Sequence, residues 1–319
     1  MLHIKRLVCR TAAFTPVKKW MEWACKVERN QNTRPEPWLW LGWQTYDSTH
    51  QSSPLTAMHF RRAALLTMTT LLTACASQPP APTSVLAPTG TLRAAINFGN
   101  PILATRDTTT GEARGVSVDL ARELGRRLGV PVELLAFAAA GEVVEAVKNA
   151  QIDVGFVAID PVRGADMLQT PAYVVIEGAY LVKNSSAIQN NAEVDRAGNR
   201  IVVGNGSAYD LFLTREIKAA TLVKAPTSPA VTDTFLTQNL EVAAGVKQQL
   251  QADAKRLPGL RLLDGRFMVI NQAMGIPKGR ETGLKYVRDF VEEMKASGFV
   301  AEALRRHRIE GAAVAAAQP

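Results

Sequence analysis

"GVSVDLARELGRRLGVPVELLAF", residues 115–137, is the stretch whose reading decides the fold class. Its opening reads as a strand end running into a helix, and Gly129 is a natural left-handed C-cap for that helix. "PVELLAF" (131–137) then reads as a strand. The alternation continues in "GEVVEAVKNAQ" (141–151), which sets Val143, Val144 and Val147 on one helical face, and in "IDVGFVAI" (152–159), a buried strand. Upstream, "TLRAAINF" (91–98) is another strand. Strand alternating with helix predicts an α/β sheet covered on both faces. The theme recurs in "NRIVVGNGSAYDLFLTREI" (199–217), "AATLVKA" (219–225), "VTDTFLTQN" (231–239) and "LEVAAGV" (240–246), so a second α/β unit follows the first.

Ahead of this body lies "MHFRRAALLTMTTLLTA" (58–74): a methionine, two arginines and a short apolar run. That order is a secretory signal, and the run falls short of the roughly 20 apolar residues that span a bilayer. Leu72-Thr73-Ala74-Cys75 resembles a bacterial lipobox, in which the chain is cut before a cysteine that becomes acylated. Residues 1–57 show no sustained helical or strand period and hold all five tryptophans, so the expectation is an over-early start, with translation beginning at Met58. "SQPPAPTSVLAP" (77–88) lies in a Pro/Ser-rich tether, residues 75–89, of extended and weakly structured chain. At the other end, residues 310–319 read as a flexible tail.

The basic balance of the whole chain, a formal net charge of +8 and a pI near 9.5, is partly a property of the leader. From Cys75 onward, 27 Lys+Arg face 25 Asp+Glu, which gives no reason to expect nucleic-acid binding. Beyond Cys75 the chain has one histidine, His307, and no further cysteine. Ser-His or Cys-His nucleophilic catalysis, thiolate metal sites and disulfides are thereby set aside, and neither a cofactor nor a metal is expected.

"TLRAAINF", "GVSVDLARELGRRLG", "AVKNAQIDVGFVAIDPVRGADM", "TPAYVV" and "KYVRDFVEEMKASGFVAEAL" together resemble, in that order, the extracellular solute-binding proteins of family 3. These are the type II periplasmic receptors of polar amino acid ABC importers. The resemblance spans residue 91 to about residue 307. It implies two α/β lobes joined by two crossing strands, with the ligand held between them. Lobe 1 with its hinges would be residues 90–183 and 267–309, and lobe 2 residues 184–266, with the hinges near 180–183 and 267–270. It further implies a monomeric, lipid-anchored periplasmic protein that passes a small carboxylate-bearing solute to an inner-membrane ABC permease and is not an enzyme.

The sharpest chemical candidate is Arg163 in "AIDPVRGADM" (158–167). Asp160 can cap a helix, Pro161 suits its first position, and Arg163 then falls in the first turn, where a guanidinium can grip a carboxylate bidentately. The resemblance implies that Arg163 holds the ligand's carboxylate, with Asp160 beside it, and that Ala158 stands where many relatives offer a serine or glycine. Facing it, "VVGNGSAYDLFLTR" (202–215) puts the backbone N–H groups of Ser207 and Ala208 at a helix N-terminus, a position that favours an anion. The Gly204-Asn205-Gly206 turn is a weak dinucleotide signal, since Tyr209 stands where the third glycine would be.

Two departures from the family pattern bear on the ligand. Where amino acid receptors commonly carry aromatic-Pro-Pro-aromatic, this chain has Gly99-Asn100-Pro101-Ile102, leaving Phe98 to cover a ligand. In "LEVAAGVKQQL" (240–250) Glu241 can stand for the first acid of the family's late acidic segment, but Gly245 and Val246 occupy the second. A buried ammonium without a carboxylate partner costs several kcal/mol by order of magnitude. The competing classes are a cyclohexadienyl-dehydratase-like enzyme working through Asp160, Glu177 or Glu241, and a ligand-free signalling or structural lipoprotein of the same fold.

Overall fold

The computed structural model describes residues 81–318; the expected early start, signal peptide, acylated Cys75 and first residues of the tether lie outside the described residues. The described chain opens with a short helix, α1 (Pro82–Leu86), whose Leu86 is buried in the main core and whose Thr83 hydroxyl donates to the Leu128 carbonyl at 3.1 Å. This corrects the tether expectation over these residues: Leu86 has apolar surface to bury, and burial outweighs the extended bias of the flanking prolines.

β1 (Leu92–Asn97) follows, then a small hairpin of β2 (Thr105–Arg106) and β3 (Ala113–Arg114). The helix α2 (Val116–Leu128) begins at once where a strand end was expected. Gly115, with φ of 128°, turns the chain there in a conformation side-chain-bearing residues avoid. Val116, Leu120, Ala121, Leu124 and Leu128 form its buried stripe, and Gly129 closes it in the left-handed conformation expected. β4 (Val132–Phe137), α3 (Ala140–Lys148), β5 (Val154–Ala158) and the single turn α4 (Pro161–Gly164) complete the first α/β unit. β4, β1 and β5 are parallel neighbours in that order.

The long strand β6 (Met167–Lys183) leads into a second unit of β7 (Arg200–Gly204), α5 (Ala208–Glu216), β8 (Thr221–Ala225), α6 (Val231–Thr237), β9 (Val242–Val246), α7 (Lys247–Arg256) and β10 (Leu260–Leu262). β11 (Met268–Pro277) then returns antiparallel to β6. The strand path is β4-β1-β5-β11-β6-β9-β7-β8. One hydrogen-bonded path thus runs through both units by way of β6 and β11, the two strands that cross between the lobes.

β6 changes partner along its length. Met167–Gly178 pairs with β11, and Gly178–Leu181 pairs on its other side with β9. The handover is at Gly178, two residues before the expected start of the first hinge, so Tyr180 and Leu181 already belong to the second unit's ladder. A Cβ at Gly178 would come within 2.8 Å of the Met268 side chain and 2.9 Å of the Phe267 ring, so only glycine lets the strands close there. Phe267 in turn stacks on Tyr180, with ring centroids 4.3 Å apart.

Two final helices, α8 (Glu281–Ala296) and α9 (Phe299–Arg306), cover the sheet. Val287, Phe290, Val291 and Met294 of α8 are buried in the main core, and the element they lie against is β6. The last strand, β12 (Ala313–Val314), pairs with Val174 and Val175 of β6. Lys295, itself buried, donates from Nζ to the carbonyls of Ala172 and Ala316. Residues 313–316 are therefore tied to the body, a correction to the expected free tail that arises because β6 leaves an edge there for a strand to fill.

Candidate functional site

Arg163 sits in the single turn α4. Asp160 caps that turn, its Oδ1 accepting from the Val162 amide at 2.9 Å, with Pro161 in the first position as the sequence implied. The guanidinium is only 2 % exposed. Its Nη1 donates to the Ala158 carbonyl at 3.0 Å and its Nη2 to the Gly206 carbonyl of the second unit at 2.9 Å, while Nε has no partner. Among the described residues no carboxylate lies within ion-pair distance of it. Burial pushes the Arg163 guanidinium down to about 10, with the nearby Asp160 carboxylate acting in the opposite sense. It is charged at neutral pH all the same, so the fold holds a buried cation bonded only to neutral carbonyls.

Across from it, β7 turns at residues 204–206 into α5. Ser207 is the N-cap, its hydroxyl accepting from the Asp210 amide at 3.0 Å. Its own backbone N–H turns back to the Gly204 carbonyl at 3.1 Å, so that expected anion donor is already engaged. Ala208 is the first helical residue and lines the cavity. Buried Asp210 accepts from the Gly206 amide at 2.8 Å and pairs with Lys224, which balances part of the positive helix end.

Between the two units lies a cavity of about 30 Å³. Arg163, Ser207, Ala208 and Ala158 all line it. The wall also carries polar side chains that reading missed: Asn97, Asn100, Tyr209, Ser228 and Gln272. Asn97 ends β1 and accepts from the Gly99 amide at 2.9 Å, and Gln272 lies at an irregularity in the β11 ladder, where bulges re-aim side chains. Neutral amides and hydroxyls carry no local signature in a single sequence. The one available signal was the altered loop that contains Asn100.

Three expected residues do not line the cavity. Asp160 has its second oxygen on Arg215 Nη2 at 2.8 Å, an ion pair that bridges the two units. The Phe98 ring is covered by the Arg106 guanidinium, 4.5 Å from its centroid. Glu241 precedes β9 and accepts from the backbone and guanidinium of Arg200 at 2.8–2.9 Å; hydrogen bonds from that guanidinium hold its carboxyl below the usual range despite partial burial. Glu177 is likewise engaged, by Lys247 and Arg266. Among the described residues, no Asp, Glu or His lines the cavity. Contact between the units is close: a Cβ built on Gly206 would lie 3.3 Å from the Gly141 Cα, so two glycines let the mouths of the units meet.

No curated protein matches this sequence. Solved structures do match in shape. A solute receptor for L-cysteine from Neisseria gonorrhoeae is 21 % identical, with a TM-score of 0.63 over 71 % of this chain and 93 % of that one. A cysteine-binding protein from Campylobacter jejuni is 16 % identical, with a TM-score of 0.61 over 70 % and 91 %. An ancestral amino acid-binding protein described as a precursor of cyclohexadienyl dehydratase is 17 % identical, with a TM-score of 0.61 over 71 % and 99 %. At such identities the likeness shows the fold alone, the two-lobed type II periplasmic-binding-protein fold. The sequence model of a single family matches residues 92–308, from the first strand to the end of the last long helix pair, and through it the chain belongs to the bacterial extracellular solute-binding proteins, family 3.

Proposed function

We propose that this protein is the solute-capturing lipoprotein of an ABC importer, held at the periplasmic face of a bacterial membrane through Cys75, and that it takes a small carboxylate-bearing solute between its lobes. The observation that carries the reading is Arg163: a buried guanidinium with an unpaired Nε–H, on a cavity whose other charged neighbours are all engaged elsewhere. A carboxylate is the group that completes such a cation, since it can meet the planar fork with two charge-assisted hydrogen bonds. The importer role is supported by family membership. A monomer whose lobes 90–183 with 267–309 and 184–266 close by bending near β6 and β11 is the arrangement that suits capture and delivery.

A thermal-shift screen of small carboxylates, amino acids included, tests the reading: a ligand at 100 times its dissociation constant adds about 2.7 kcal/mol of stability. Anchoring is tested separately, because Cys75→Ser should abolish labelling by radioactive palmitate. Dehydratase chemistry is the weaker reading. Its candidate acids Asp160, Glu177 and Glu241 are all held in ion pairs away from the cavity. Turnover of prephenate or arogenate by the purified protein would restore it.

A further inference from the structure

Two buried polar atoms without a partner line this cavity: the Arg163 Nε–H and the Asn100 side-chain carbonyl oxygen, while the Tyr209 hydroxyl on the same wall is within reach of Ser207 and Ser228. Each side chain is at least nine-tenths buried, so solvent does not complete them, and an unpaired buried polar group is costly. As a recognition pattern, they ask for an anionic acceptor at Arg163 and a donor at Asn100. A ligand ammonium could donate to Asn100, but the charges forbid it. Among the described residues the only ionised lining group is Arg163, so a bound monoanion leaves the site neutral, whereas a bound zwitterion leaves one buried positive charge uncompensated. The wall offers no carboxylate to an ammonium: Glu241 is spent on Arg200, Asp160 on Arg215, and Val246 forms part of the wall near the end of β9.

Resting on the carboxylate reading above, we infer that the solute is a small hydroxy acid, a monocarboxylate whose second polar group is an uncharged hydroxyl, rather than an α-amino acid. Its carboxylate meets the Arg163 guanidinium through Nε, and its hydroxyl donates to the Asn100 carbonyl oxygen. Phe98, whose ring lies under Arg106, is not on the wall to receive a large side chain.

Calorimetric titration of the full chain with two matched pairs, glycolate against glycine and L-lactate against L-alanine, tests this, because each pair exchanges hydroxyl for ammonium at almost constant size. Each hydroxy acid should bind at least about 30-fold more tightly than its amino partner, the lower end of what an unpaired buried charge costs. Asn100→Asp should move the preference toward the amino acids by supplying a carboxylate. Asn100→Ala, which buries no new charge, should lose about tenfold in hydroxy-acid affinity. Amino acids that bind the wild type as tightly as their hydroxy partners would overturn the inference and leave the carboxylate reading standing. If none of the four binds and arginine, lysine and cysteine also fail, both fall. An unchanged preference in both Asn100 variants would overturn the assignment of that residue.

Discussion

The Arg163 guanidinium donates from Nη2 to the Gly206 carbonyl at 2.9 Å, so a side chain rooted in the first α/β unit is gripped by the turn that starts α5 in the second. The same side chain reaches Ala158 in its own unit through Nη1. One cation therefore belongs both to the wall of the cavity and to the contact that closes it. On the proposed reading, ligand binding and lobe closure would draw on the same group.

Arg163→Ala should accordingly hurt binding more than any other single change. Removing one partner of a buried, hydrogen-bonded charge pair typically costs about 2 to 5 kcal/mol, roughly 30-fold to several thousand-fold in affinity. Arg163→Lys should rescue poorly, since a point charge cannot supply Nε and both Nη donors at once. Calorimetry on the ligand found by the screen decides it; wild-type affinity in Arg163→Ala would end the carboxylate-clamp account.

The Asp160–Arg215 pair also spans the units, but Arg215 is 39 % exposed and the pair is correspondingly weak. Arg215→Gln should lower affinity by no more than about 1 kcal/mol, less at high salt, and shift scattering of the free protein toward a larger radius of gyration. Asp160→Ala should cost more stability, because it also deletes the cap on α4, worth about 1 kcal/mol.

Glu241→Gln separates a sequence expectation from its structural outcome. Glu241 closes a partly exposed pair with Arg200 before β9, away from the cavity. The variant should lose about 0.2 to 1 kcal/mol of folding stability and bind every solute as the wild type does. A tenfold change in affinity would show that the acid reaches the ligand after all.

Asp153 is fully buried between Arg93 and Arg280, at 2.8 and 2.9 Å. Burial by itself would raise its carboxyl; the hydrogen bonds from Arg93 and Arg280 overcome that and hold it below the usual carboxylate range. A depressed folded-state value contributes stability that is fully present above the unfolded value, about 3.9, and is lost as pH falls through the folded one. Asp153→Asn should therefore cost about 3 to 5 kcal/mol at pH 7, and the gap in melting temperature from wild type should narrow below about pH 4. A gap that stays constant down to pH 2 would exclude the ion triad as its source.

Local pattern carried much of the fold. The strands at 92–97, 132–137, 154–158, 200–204 and 242–246 lie where apolar runs stand between turn signals, and Gly129 and Asp160 end and begin helices by chemistry that acts within a few residues. The setting of Arg163, a cap, a proline and one turn, was legible for the same reason, whereas a role for its guanidinium was expected only through the family resemblance.

What the sequence by itself determined, then, are features whose cause spans a few residues: the types of the main strands and helices, the capped turn under Arg163 and the Ser207 cap. Tertiary structure decided where those pieces meet. Glu241 and Val246 stand at opposite ends of β9, and at about 3.3 Å per residue those five steps carry the acid roughly 17 Å from the cavity that Val246 lines. Asn97 and Asn100, Tyr209, Ser228 and Gln272 come from four separate segments, and the return of β11 beside β6 and the handover of β6 to β9 at Gly178 help bring them to one wall. Leu86 and residues 313–314 were misjudged alike, since the surface that captures each is built by chain far away in sequence. Periodicity records which face of an element is apolar; burial against a distant partner depends on topology, and no short window of residues contains it.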